Sequence, residues 1–483
     1  MRTLVLILIA VCIVVAAMDV ATFVQQGHED KPNDAFISLT ELPPRTITDP
    51  KTNGYFLLLG FSASPKLDAV QTGFDIWVEA ETDRGHLFYD YLRPGRVAAR
   101  IGGETLNALQ VWNAADPGVE LKQVGDQLMS QTTDYAVLVN RYQQWLSMPF
   151  EDWGYGHLGG ARFGEIFLTH RLYVAAGFVE NAGRGVERLA RDLYAWRSVL
   201  ARAKTLPLKL MAIVVIDDDA RLVAGLLAQR SLDPVNVNRL TLLARPLSRV
   251  ERSLRWPFQN EFLTAVSRYD RPALRLARGA REDSQNNKQW LATLAGLESN
   301  VFERVEHPLS ANALARGSAQ RQRAHNTYAR YYEATIMSAE MPYVRLPRLK
   351  EFIGGSARGF FDYLVNPVDN IFDSGFEPDW QPFIDRMLEA DARLRLTALQ
   401  AKLRGVGEVS ALHAYVAEAG EDYYDPFSRL PMMLNVRTNT LYSVGRDRKD
   451  NDGDPLRDVA VTLLPPQTSR APSVKSSPKP ARL

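Results

Sequence analysis

The opening two dozen residues constrain this chain more than anything that follows them. Met1, Arg2 and Thr3 lead into an unbroken apolar run from Leu4 to Met18, and after Asp19 the apolar character resumes through Ala21, Phe23 and Val24. An apolar stretch of ~18 or more residues can span a bilayer, while a cationic start before ~7–15 apolar residues is also the pattern of a signal peptide. Both readings stay open: a retained anchor over residues 1–24, or cleavage at Val15-Ala16-Ala17 before Met18. Continuation of the apolar pattern to Val24 favours the anchor. Arg2 precedes the segment, whereas Glu29, Asp30 and Lys31 follow it with no basic excess, so the amino terminus is expected inside and the bulk of the chain outside.

Cys12 is the only cysteine and lies within that run, so the remainder of the chain offers no disulfide, no cysteine-zinc site and no thiol nucleophile. Stability has to come from an ordinary packed core, and 483 residues suffice for one large helical body or two domains. Lys and Arg number 57 against 56 Asp and Glu, a net charge of +1 that argues against a nucleic-acid partner.

Residues 25–52 are rich in Pro, Asp and Thr and read as a linker, because Pro43-Pro44 and Asp49-Pro50 oppose regular helix. From residue 53 the apolar spacing is helical. Val70, Phe74, Trp77 and Val78 fall on one helix face, and Val124, Leu128, Tyr135, Leu138, Val139, Tyr142 and Trp145 continue such a pattern for about six turns. Val186, Leu189, Leu193, Trp196 and Leu200 make another stripe. Pro207 sits where a first helical turn tolerates proline, ahead of an apolar run to Leu227, and the short gap between these two helices predicts a hairpin. Further helices are expected over Gln259–Tyr269, Lys288–Val305, Ser318–Ala339, Asp379–Arg404 and Val406–Ala419. No fixed period marks a regular repeat array. The expected fold is mainly α: an irregular helical bundle or solenoid over residues 53–420 behind the amino-terminal anchor.

After Gly420 the character changes. Met433–Val436, Thr440–Val444 and Asp458–Leu464 have strand composition, the first two separated by Arg437-Thr438-Asn439, which predicts a small β appendage over residues 421–464. Residues 465–483 are rich in Pro and Ser, with basic but no acidic residues, and read as a disordered tail. Between the second and third strands lies the densest acidic cluster: Asp447, Asp450, Asn451, Asp452, Asp454 and Asp458. Oxygen ligands packed into a turn-prone loop suit calcium, which takes 6–8 of them. Asp447, Asp450, Asp452, Asp454 and Asp458 are the candidate metal ligands, and a structural calcium ion the candidate cofactor. The spacing is not an EF-hand, since Arg448 and Val459 would occupy its first and last ligand positions. The competing reading is a solvated acidic turn.

Two resemblances follow from these residues. Asp425-Pro426-Phe427-Ser428, Leu441-Tyr442-Ser443-Val444-Gly445-Arg446-Asp447, Asp454 and Asp458-Val459 together resemble the terminal calcium loop of type II secretion major pseudopilins, over roughly forty residues. Arg448 and Arg429 stand where those loops usually carry glycine, and the start of the chain lacks the prepilin signature. Trp196-Arg197, Leu206–Ala212 and Leu364-Val365-Asn366-Pro367-Val368 resemble segments of an uncharacterised family of membrane-anchored, exported proteobacterial proteins. That resemblance implies the cell envelope and no known activity; taken with the orientation of the anchor, it gives the expectation of a single pass of the inner membrane, with the bulk of the chain in the periplasm.

Catalytic motifs are missing. Gly60–Ser64 and Gly354–Gly359 both fail the spacing of a nucleophile elbow, and no Walker loop, dinucleotide fingerprint or His-Glu-x-x-His occurs. Gly354–Gly359 with Arg358 could wrap an anion, or simply connect helices. His157 and His170 flank Glu165 at a spacing that suits no shared metal, so His170 is expected as a hydrogen-bonded helix residue. Trp153 and Tyr155, among glycines, either present a contact surface or tuck into neighbouring helices. Asp217-Asp218-Asp219 could supply a carboxylate pair for a hydrolase, although within one helix only one or two would face inward; the favoured expectation is a solvated break in the Pro207–Arg230 helix. The function expected from these features is non-enzymatic: a binding or scaffold protein of the cell envelope with an envelope protein as partner. The alternatives are a periplasmic hydrolase of glycan or peptide and a secretion or pseudopilus accessory.

Overall fold

The computed structural model describes residues 31–81, 117–131, 133–154, 162–230, 232–270, 289, 291–293, 295–298, 318–341, 346–352, 379–404 and 409–464. Residues 1–24, His157, Tyr155, Gly354–Gly359, Leu364–Val368 and the tail from 465, all singled out above, lie outside the described residues. Among those described, no helix is long and apolar enough to cross a membrane.

The chain is mainly helical with one small sheet near its end. Part of the stretch read as a linker is folded. Asn33 caps helix α1 (Asp34–Thr40), its side-chain oxygen accepting from the Phe36 amide at 2.8 Å. Pro32 lies just ahead of this helix and Pro43, Pro44 and Pro50 beyond its end, so none interrupts it; its one fully buried residue is Leu39. Helices α2 (Gly54–Leu59) and α3 (Ala69–Glu81) then pack together. The long pattern ending at Trp145 resolves into two helices, α4 (Pro117–Gln131) and α5 (Thr133–Leu146).

Helix α6 (Phe163–Glu180) and helix α7 (Ala182–Arg202) are joined by Asn181 alone, whose side chain accepts from the Arg184 amide and caps α7. So short a connection presses the two helices together. A β-carbon on Gly177 would lie 2.9 Å from the Gly185 α-carbon, and one on Gly185 would lie 2.5 Å from the Phe178 ring. Glycine at both positions is what allows this approach.

Helix α8 (Leu206–Leu227) starts with Pro207 in its first turn, and nineteen of its 22 residues are buried. Its apolar residues cover every face rather than one stripe, the pattern of a helix at the centre of a fold. Around it come α9 (Pro234–Leu243), the single turn α10 (Arg249–Arg252), α11 (Arg255–Asp270), α12 (Ser318–Ala339), α13 (Gln381–Leu403) and α14 (Val409–Ala417). Helix α8 packs chiefly on α7 and α13 and touches α4, α6, α9 and α11. Helix α1 rests on α11 and α12: Asn33 donates to Asn326 twice, from its backbone amide and from its side chain, and Ser38 donates to Glu333 at 2.9 Å.

The sheet is antiparallel in the order β1 (Met433–Asn435), β2 (Thr440–Ser443), β3 (Val459–Thr462), close to the expected strands. It is docked on the helical body rather than hung from it. Gln400 on α13 donates to Ala224 O at 2.9 Å and to Thr462 O at 2.7 Å, joining α8, α13 and β3 through one amide. Arg446 adds an ion pair to Glu389 of α13, with Nη2 2.7 Å from Oε2.

Candidate functional site

Three consecutive aspartates in a central apolar helix are the most costly feature of this sequence. An unpaired ion in a protein interior costs several kcal/mol, so each must find partners or a proton. Asp217, Asp218 and Asp219 are all buried, and α8 runs through them without a break. The expectation of a solvated break is therefore corrected. Successive helical residues turn by 100°, so three in a row cannot share one face. They are all buried because α8 has neighbours on all sides.

Asp217 turns toward α13. Arg393 Nε lies 2.7 Å from Oδ1, Arg386 Nη2 2.8 Å from Oδ2, and Arg221, one turn on, 3.1 Å from Oδ2. Burial raises the carboxyl pKa, but these guanidiniums outweigh it and hold the group well below the usual carboxylate range.

Asp218 and Asp219 turn toward α6 and α7. Arg171 grips Asp218 with both ends of its fork, Nε to Oδ2 at 2.8 Å and Nη2 to Oδ1 at 2.7 Å. Against burial, Arg171 and His170 bring the Asp218 pKa down to about 2. His170 stands between two helices. Its Nε2 is 3.0 Å from Asp218 Oδ2 and its Nδ1 is 2.9 Å from Asp192 Oδ2 on α7. Burial disfavours an imidazolium here, yet the bonds to Asp192 and Asp218 prevail and raise the His170 pKa. Tyr142 of α5 donates to Asp192 Oδ1 at 2.5 Å and accepts from Trp196 Nε1 at 2.6 Å. His170 is the hydrogen-bonded helix residue it was expected to be, and it is also the hub of a cluster the sequence did not reveal.

Asp219 is the exception. It is fully buried, and neither of its oxygens accepts a hydrogen bond from any N–H or O–H donor. Its Oδ1 lies 3.8 Å from His170 Nδ1. Burial, then the neighbouring charges of Asp192 and Asp218, push its carboxyl well above the usual range. Among the described residues, His170, Asp192 and Asp219 form the one set of three His, Cys, Asp or Glu side chains whose ligand atoms lie within 4.8 Å of one another.

The acidic loop is organised differently. Asp458 accepts from the amides of Asn451 and Gly453 at 3.2 and 2.8 Å, and the Asn451 side chain links it to Asp447. Asp450 accepts from Tyr442 Oη and from the Asp452 amide, while Asp454 accepts from the Leu456 amide. Thus Asp447 and Asp458 are brought together, whereas Asp450 and Asp454 are engaged separately and Asp452 takes part through its backbone. The residues of the pseudopilin-like ending have a visible structural task. Asp425 is buried and accepts from the Phe427 amide, Ser443 Oγ and the Val444 amide at 2.8, 2.8 and 3.0 Å, clamping the end of β2. Arg429 and Arg448, at the two positions where the resemblance leads one to expect glycine, both have left-handed backbones, φ 63° and 55°. The loop keeps a glycine-like path without the glycines.

Trp153 is tucked into the core, its ring 5.1 Å from Phe56 and 5.4 Å from Trp77, with the Arg45 guanidinium 4.2 Å above it. Asp152 beside it accepts from the Lys204 and Thr205 amides at 2.7 and 3.0 Å, fixing the chain just ahead of α8. Glu165, which His157 and His170 flank in sequence, faces Arg162, 3.8 Å away.

No family model, curated protein or solved structure matches this chain.

Proposed function

We propose that this chain is a non-enzymatic scaffold or binding protein of the cell envelope, held at the inner membrane by residues 1–24 with its helical body in the periplasm. One observation carries this reading. The acidic groups that an enzyme would turn toward a substrate are directed instead at other helices of the same body. Asp217 joins α8 to α13, Asp218 joins α8 to α6, and Asp192 joins α7 to α5 and α6. Glu251 accepts from Arg197 Nε at 2.9 Å, joining α10 to α7, and Asp391 accepts from the Leu247 amide at 2.8 Å. Such cross-bracing suits a body whose task is to hold a shape.

The test is purification of the full-length protein from its native membrane in gentle detergent, with mass spectrometry of what accompanies it. A stoichiometric envelope protein, lost when the helical body is removed, is the expected result. Robust turnover of a glycan or peptide by the purified chain would overturn it. The hydrolase reading draws on the convergence of His170 with three carboxylates. The near-complete enclosure of that cluster by surrounding helices weighs against it.

A further inference from the structure

We propose that His170 Nδ1, Asp192 Oδ2 and Asp219 Oδ1 form a binding site for one divalent transition-metal ion, zinc being the ion that this set of one imidazole and two carboxylates suits best. The proposal stands whether or not the body is a scaffold, because it concerns how the interior is held together.

The argument starts with hydrogen-bond roles. Asp218 is fixed by the two-pronged grip of Arg171, and its Oδ2 lies 3.0 Å from His170 Nε2. An ionised carboxylate can only accept, so the Nε2 proton belongs in that contact. In the neutral imidazole the other nitrogen, Nδ1, then carries a lone pair. That lone pair faces Asp192 Oδ2 at 2.9 Å and Asp219 Oδ1 at 3.8 Å. Three acceptors thus converge on one point. Asp219 is fully buried and has no donor for either oxygen, which marks this point as one that calls for a positive charge.

Charge gives the same answer. With His170 neutral and Asp219 ionised, the forms a bound cation would hold against their raised pKa values, Asp192, Asp218 and Asp219 carry three negative charges against the single positive charge of Arg171, leaving two to be compensated. One divalent ion cancels them. The separations of 2.9 and 3.8 Å between donor atoms bracket those spanned by ligands that each stand ~2.0–2.2 Å from zinc. The support behind the ligands is also of the kind metal sites use. Asp218 orients His170 through the far ring nitrogen, and Tyr142, itself held by Trp196, orients Asp192 through its other oxygen. All three ligands are enclosed, and they come from α6, α7 and α8, so the ion would act as a staple between helices rather than as a reagent.

The competing occupant is a pair of protons, one on His170 and one on Asp219. Elemental analysis of the full-length chain, purified in detergent through a tag that binds no metal, separates the two. We expect about one zinc, or another divalent transition metal, per chain that survives dialysis. It should fall to background in Asp219→Asn and Asp192→Asn and persist in Asp458→Asn. Cobalt substituted into the wild-type chain should give visible d–d bands, a readout that does not require the variants to fold. A folded wild-type chain with no metal, before or after incubation with zinc or cobalt, overturns the proposal. So does a metal lost in Asp458→Asn but kept in Asp219→Asn, which would place it in the acidic loop.

Discussion

The two sides of helix α8 treat neighbouring aspartates in opposite ways. On the α13 side, Asp217 meets three guanidiniums and stays ionised far below the usual range. On the α6 and α7 side, two residues later, Asp219 receives no hydrogen bond and is pushed far above it. Residue type and depth are the same; the difference lies entirely in what the packing helices present. A run of identical residues in sequence therefore carries no single chemical meaning. One side of the helix is an electrostatic weld complete in itself, and the other is incomplete until a cation or protons arrive.

The largest effect should come from breaking the complete side. Asp217→Ala leaves Arg386 and Arg393 buried without their carboxylate and is expected to cost about 3–5 kcal/mol in denaturant unfolding. Loss of less than ~1 kcal/mol would mean that water reaches those guanidiniums. A smaller loss, about 1–3 kcal/mol, is expected from Gly185→Ala, whose new methyl group meets the Phe178 ring and forces α6 away from α7. Since this is the helix pair that brings His170 to Asp192, the variant should also lower metal content if the staple exists.

A third test uses the first turn of α8. Lys209 is buried, donating to Leu200 O and Glu251 O at 2.6 and 2.9 Å, and burial lowers its pKa to about 7 from the ordinary 10.5. Between those two values the unfolded chain holds a proton that the folded chain has released. Stability should therefore rise with pH across that window, by at most ~1.4 kcal/mol per unit, and should gain nothing from this group below about 7. Comparing Lys209→Met with the wild type isolates the slope, and parallel pH profiles would refute the assignment. The smallest effect is expected in the appendage, where Arg448→Gly relieves a left-handed backbone. Thermal melting should show a gain of a few tenths to ~1 kcal/mol, and a loss would mean that the arginine side chain does more than follow the chain.

Helices with one apolar stripe were legible in the sequence. Val186, Leu189, Leu193, Trp196 and Leu200 give α7 almost to its ends, and Ser318–Ala339 is matched residue for residue. Helix α6 escaped because it is apolar on nearly every face, which leaves no period to detect. The site escaped for another reason. His170 reaches partners 22 and 48 residues away, and no local window contains that relation. A faint signal was present. Asp192 stands three residues after Leu189 and four before Trp196, on the buried face of α7, where a charge has to be explained. The aspartates of the acidic loop drew attention because they are dense along the chain, yet their bonds are mostly to amides a few residues away. Density in sequence and convergence in space are separate properties.

The docking of α1 limits reach. With residues 1–24 in the bilayer, as proposed, only residues 25–33 separate the membrane from a helix already fastened to Asn326 and Glu333. Nine residues extend to about 30 Å at most. Such a leash would hold α1, and with it the parts of α11 and α12 that it touches, within about 30 Å of the lipid surface. A longer spacer inserted before Lys31, whose carbonyl accepts from Asn326, would lengthen that tether without disturbing the docking of α1.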